Sequence, residues 1–221
     1  MHIGPGFLSP AVWTSTAAVS GAALAASLVV AGRRLDDRRV VLMGVMGAFV
    51  FAAQMVNFPV LPGTSGHLGG GFLLGVLMGA PLAIIVMASI LVVQSLVFQD
   101  GGVEALGANV LVMGVIPALV GTAVRGLWRR RAGPIADVVT FVGGVAAVLI
   151  GATVVIVLLR LSDALPGSVS LWQAIGVMDV VHLLIGVVEG AVSVAVVRFV
   201  VKTRPESVFD LAPGRAEAAS A

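Results

Sequence analysis

The first two residues, Met1 and His2, already make a chelating unit. The terminal amine and the His2 amide nitrogen close a five-membered ring on a metal, and that amide and the imidazole Nδ1 close a six-membered one. Three nitrogens then share a plane once the amide gives up its proton. Ni(II) and Cu(II) favour planar nitrogen sites, and Cu(II) binds most divalent sites more tightly still. A fourth corner stays open. His67 is the nearest suitable donor, in a stretch (FPVLPGTSGHLGGG) too rich in Gly and Pro for a helix. All donors must bind unprotonated, so affinity should climb with pH. A histidine in second place is equally compatible with plain polar surface. The second histidine, in a glycine-rich loop, is what gives the chelate weight. The bulk of His2 should also keep Met1 in place against methionine aminopeptidase.

Other polar residues stand out from an apolar background. Gln54 and Asn57 are one helical turn apart, ahead of the FPV kink, and Asn109 opens a later helix. They could orient His67 or the metal-bound terminus, or simply join helices, and the spacing leaves both open. Ser65 and Thr64 shape the loop rather than bind metal, with Ser65 a further candidate for positioning. Asp179, His182 and Glu189 fall on one helix face, and ionisable groups inside a membrane segment are costly. That face supports a rival reading, a proton-coupled secondary metal carrier. Two interleaved small-residue series, Ala18, Ala22, Ala26 and Ala17, Gly21, Ala25, would let a helix be approached closely, by its own bundle or by another subunit.

Composition sets the surroundings of these groups. The 221 residues are 59% hydrophobic and 11% charged, which describes a polytopic membrane protein and not a soluble domain. Without Cys there are no disulfides or thiolate sites, so any metal is held by N or O ligands. The single lysine, Lys202, follows Val201, so GxxxxGK(S/T) is absent and the chain cannot be a P-loop ATPase. No HExxH or nucleophile–base pair suggests an enzyme. A nucleic-acid partner is excluded because the basic clusters flank membrane spans.

A bilayer core of about 30 Å takes roughly 20 apolar residues per helix. Segments 8–32, 40–58, 107–127, 134–160 and 176–198 qualify, with Trp13, Trp128 and Trp172 near segment ends as interfacial anchors. Of the 13 Lys and Arg residues, 12 fall in three clusters: Arg33, Arg34, Arg38 and Arg39; Arg125, Arg129, Arg130 and Arg131; Arg198, Lys202, Arg204 and Arg215. All three become cytoplasmic only if 68–98 crosses twice, breaking near Pro81. The expected architecture is all-α: about seven transmembrane helices in one domain over 1–203, N-terminus outside and C-terminus cytoplasmic. A metal-binding segment 1–7, an outer loop 59–70 and a mobile cytoplasmic tail 204–221 complete it.

MHIxxGFL at the start, QMVNFPVLPGTSGHLGGG at 54–71, VQSLVFQDGG at 93–102 and LGANVLVMG at 106–114 together resemble one family. It is the CbiM/NikM group, the substrate-capture (S) component of energy-coupling factor importers for cobalt and nickel. The resemblance covers about residues 1–117 and implies a seven-helix S component in the cell membrane that takes up Co²⁺ or Ni²⁺ and holds no organic cofactor. It also implies Met1, His2 and His67 as the metal ligands. The implied partners are a transmembrane coupling subunit, two ATPase subunits and a small accessory membrane protein. One departure is plain: the family carries an acidic residue after HI-Pro or HI-Met, whereas this chain reads Gly4-Pro5-Gly6.

Overall fold

The computed structural model describes residues 1–33, 35–130 and 133–204. Arg34, Arg131 and the tail beyond Arg204 lie outside them. The described chain forms α1 (Pro10–Gly32), α2 (Asp37–Gln54), α3 (Gly71–Met78), α4 (Ala80–Val93), α5 (Leu106–Asn109), α6 (Ile116–Arg130), α7 (Pro134–Leu161) and α8 (Leu171–Thr203). Two π-helical turns widen the bundle: Gln94–Phe98 prolongs α4, and Val110–Val115 joins α5 to α6 into one rod. Five rods are long and apolar enough to cross a membrane: Pro10–Gly32, Ala80–Phe98, Leu106–Trp128, Pro134–Leu161 and Leu171–Thr203.

Helix starts follow local chemistry. Proline opens α1 and α7, where its missing N–H costs nothing. Asp36 caps α2 by accepting from the Arg39 amide at 2.8 Å, and Ser170 with Gln173 forms a capping box on α8. The break expected near Pro81 falls at Gly79 (φ 83°, ψ 160°), because a proline in the first turn begins a helix and the reversal must precede it. The helix expected to run to residue 58 ends at Gln54, since Phe58 precedes Pro59 and is driven to extended backbone. There Phe58–Pro59 (β1) pairs antiparallel with Ser65–Gly66 (β2), a two-residue ladder in an otherwise helical chain.

One end of the bundle gathers the N-terminal segment, the 55–70 loop and the 99–105 loop. Described basic residues including Arg33, Arg125, Arg198 and Lys202 lie at or near helix ends at the other, where Arg198 pairs with Asp137 in the first turn of α7, whereas Arg160 lies in the last turn of α7. The chain from His67 to Phe98 enters from the first end, turns at Gly79 and returns. It does so unequally, because α3 has eight residues, about 12 Å of helix against a core of about 30 Å.

So short a buried helix needs its ends satisfied. Glu189 of α8 accepts from the Gly69 amide (2.9 Å) and the Gly70 amide (2.9 and 3.1 Å) at the N-terminus of α3. Arg125 of α6 donates to the Val76 and Leu77 carbonyls at its C-terminus. Acid at the N-terminus and base at the C-terminus also suit the helix dipole. Arg125, grouped by sequence with a cytoplasmic cluster, is thus half-buried against α3. Trp128 corrects its expected role too. It is 4% exposed and donates to Thr140 of α7 at 2.8 Å, so it joins helices instead of anchoring at an interface.

Candidate metal centre

The N-terminal segment is inserted into the site end of the bundle like an extra strand. Ile3 bridges Thr64, the Gly4 amide donates to Gly63 O (2.8 Å), and the Gly102 amide donates to Ile3 O (2.9 Å). Asn109 grips the same residue twice, accepting from the Ile3 amide at 2.8 Å and donating to its carbonyl at 3.2 Å. Burial is nearly complete: Met1 is 1% exposed, His2 3%, Ile3 0% and His67 2%. Gly101 makes room. At φ 91°, a Cβ there would stand 3.2 Å from the His2 ring and 2.9 Å from the Asn109 amide.

The Met1 amine lies 2.8 Å from His67 Nε2, and the two imidazole rings are 4.6 Å apart between centroids. Two donors on adjacent corners of a square with bonds of about 2.0 Å are separated by about 2.8 Å. The observed spacing is the edge of such a square, bridged in this structure by an N–H proton. His67 Nδ1 donates to the Leu68 carbonyl at 2.8 Å, which leaves Nε2 as the lone-pair nitrogen facing the amine.

His2 is wired with equal definiteness. Gln54 donates to Gly69 O at 2.5 Å, its own Oε1 accepts from Gln94 Nε2 at 3.0 Å, and Gln94 Oε1 meets His2 Nε2 at 3.1 Å. The chain ends on a carbonyl, which can only accept, so its polarity is fixed throughout. His2 Nε2 therefore carries the proton and Nδ1 is left with a bare lone pair. Buried and without a hydrogen-bond partner, Nδ1 is the nitrogen a six-membered chelate ring requires. Among the described residues no three His, Cys, Asp or Glu side chains converge as ligands.

Electrostatics favour free lone pairs. Burial draws the Met1 amine from 8.0 down to about 4, opposed in part by Asp100. Burial, then the neighbouring amine, lowers His2 to about 3, and His67 is pushed well below its ordinary value for the same two reasons. A cleft lined by His2, Gly4, Pro62, Ser65, Asp100 and Gly101 opens beside them.

Asn109 thus bears directly on the N-terminal segment, and Gln54 does so through Gln94. Asn57 does so one step removed, donating to Asp100 at 2.7 Å. Ser65 lines the cleft, but its hydroxyl has no hydrogen-bond partner. Thr64 exchanges hydrogen bonds with Leu61 within the loop. Glu104 supplies a carboxylate to the Gly6 amide at 2.6 Å, beside the turn that lacks the family's acidic residue. Ala18, Ala22 and Ala26 are exposed on α1, which packs inward through Thr16, Ser20, Ser27 and Ala31. Asp179, His182 and Glu189 do not hydrogen-bond one another. Asp179 faces Thr153, His182 Nδ1 donates to Met178 O, and Glu189 holds the loop amides. Sequence reasoning missed Gln94, Asp100 and Glu104. The first two lie in VQSLVFQDGG, where only the polar side chains breaking an apolar run could have signalled them.

Comparison with known proteins identifies the family. The family CbiM, described as a cobalt uptake substrate-specific transmembrane region, matches residues 2–207. The chain belongs to the CbiM family. It is similar to a Haloquadratum walsbyi protein provisionally named for metal transport, at 35% identity over 95% of this chain and 94% of that one. The fused nickel transport protein NikMN of Rhodobacter capsulatus is 34% identical over 99% of this chain and 66% of its own length. A solved structure, a truncated transition metal transporter, superposes with a TM-score of 0.80 at 28% identity, over 90% of this chain and 98% of that one. Like other CbiM members the chain is a multi-pass membrane protein, and its relatives are transport proteins, not enzymes.

Proposed function

We propose that this chain captures a divalent transition metal, Ni(II) or Co(II), as the substrate-binding membrane subunit of an energy-coupling factor importer. The ion would sit on the Met1 amine, the His2 amide nitrogen, His2 Nδ1 and His67 Nε2. One observation carries the reading: the amine stands one square edge, 2.8 Å, from His67 Nε2 while His2 Nδ1 is buried beside it without a hydrogen bond, Asp100 Oδ1 lying 3.3 Å away. The N-terminal segment and its cleft would face outside and the basic end the cytoplasm, in keeping with the positive-inside rule, with seven helical rods of which α3 is too short to cross alone. ATP hydrolysis would come from two separate subunits through a coupling protein, joined by a small accessory membrane protein. The exposed Ala18, Ala22 and Ala26 face of α1 is available to the coupling protein.

The test is His67→Ala, with Ni(II) and Co(II) binding measured by calorimetry on the purified chain and ATP-dependent uptake measured with its partner subunits. Both should be lost. The rival proton-coupled carrier expects His67→Ala to be tolerated and uptake to proceed without ATP.

A further inference from the structure

A divalent ion held by four nitrogens, one of them a deprotonated amide, leaves one positive charge in the site. That charge would sit among groups 1–3% exposed. Burying an uncompensated charge is among the most costly acts a fold can perform, and such charges are paired wherever they occur. The source of the compensating charge is therefore a structural question with few answers.

Among the described residues three carboxyl groups come near the N-terminal segment. Glu189 is committed to the Gly69 and Gly70 amides, and Glu104 to the Gly6 amide in an exposed turn. Asp100 remains. Its Oδ1 stands 3.3 Å from His2 Nδ1, the very nitrogen left with a bare lone pair. Its side chain is 19% exposed and lines the cleft that leads to the site. Its position is set from three directions. Asn57 donates to Oδ2 at 2.7 Å, the Asp100 amide donates to Gln94 O at 3.0 Å, and Gln99 before it takes a left-handed conformation (φ 55°). A non-glycine residue in that region is uncommon and is held there by its surroundings.

We propose that Asp100 is the counter-charge of the loaded site: its carboxylate, placed at the cleft beside His2 Nδ1, neutralises the single positive charge left when the His2 amide binds the divalent ion. Asn57 is then a positioning residue that acts through Asp100. The consequence is selection by total charge, because a trivalent ion would leave the same site charged. This inference rests on the four-nitrogen reading above.

The experiment is calorimetric titration of Ni(II) into the purified full chain and three variants. Asp100→Asn keeps the shape and removes the charge, and it should weaken binding by about 10–100-fold, the usual effect of removing a partner just outside the ligands. The absorption band of planar Ni(II) should persist in that variant, showing the nitrogen plane intact. Asp100→Ala opens space beside the cleft, and added formate, but not formamide, should restore its affinity. Asp100→Asn binding Ni(II) within threefold of the native chain overturns the proposal. So does Asp100→Ala failing to respond to formate, or responding equally to formamide. Failure of the native chain itself to bind Ni(II), or unchanged binding in His67→Ala, would instead strike the four-nitrogen reading.

Discussion

Adding two residues, Gly-Ser, ahead of Met1 tests the chelate at its weakest assumption. The native amine lies in a space where Met1 is 1% exposed and its Sδ is 3.2 Å from the Cβ position of Gly151. Two residues add about 7 Å of chain, far more than that space holds. The amine then leaves the square and the segment cannot dock as before. Docking is held in part by two hydrogen bonds between Ile3 and Asn109, about 1 kcal/mol each, and by full burial of the Ile3 side chain, about 2 kcal/mol. Losing about 4 kcal/mol weakens binding by about 10³-fold, before the lost amine ligand is counted. A single added residue is a poorer probe, since X-Met-His closes three chelate rings of its own without His67. Calorimetry of Ni(II) binding in detergent, with circular dichroism to confirm an unchanged helical fold, reads the effect. An extended chain that binds Ni(II) within threefold of the native one would refute the role of the amine.

Gln94→Leu should weaken Ni(II) binding by about 10–100-fold in the same assay, because His2 loses the acceptor that fixes its tautomer and angle, and an unchanged affinity would show the relay to be idle. Docking of the metal-free N-terminus should weaken as pH falls. The amine titrates at 8.0 when undocked and about 4 when docked, so the undocked segment binds the extra proton. Between pH 8 and 6.5 the opening free energy from hydrogen exchange at the Ile3 amide should drop by about 1.7 kcal/mol in all, and no drop would refute burial of the amine. Glu189→Ala orphans two buried amides at about 1–3 kcal/mol each and should lower the melting temperature clearly, with Glu189→Gln, which keeps one acceptor oxygen, falling between. Equal melting of the three proteins would remove Glu189 from the loop's support.

The candidate ligands were legible from sequence because chelate ring sizes are local: Met1 and His2 are covalent neighbours, and His67 lies in a glycine-rich loop. What surrounds them was not, because it depends on contacts across many residues. Gln94 meets His2 over 92 positions and Glu189 meets Gly69 over 120. Gln94 opens one π-helical turn and Asn109 stands just before the other. Such turns recur at functional sites, and neither hydrophobic periodicity nor spacing signals where they fall. Glu189 read as a membrane-buried acid from its helix face alone, and only the neighbouring amides reveal its task. The positions of Gly79 and Phe58 were within reach, since the rules for proline at a helix start and for the residue before proline account for both.

The eight residues of α3 behave as a strut bolted at both ends. Glu189 fastens the front, immediately behind His67, and Arg125 fastens the rear, close to the basic end of the molecule. With both ends tied, this helix of about 12 Å links the loop behind His67 directly to α6 near its basic end. The loop that carries His67 and the basic end of the bundle are thus joined by one short buried element.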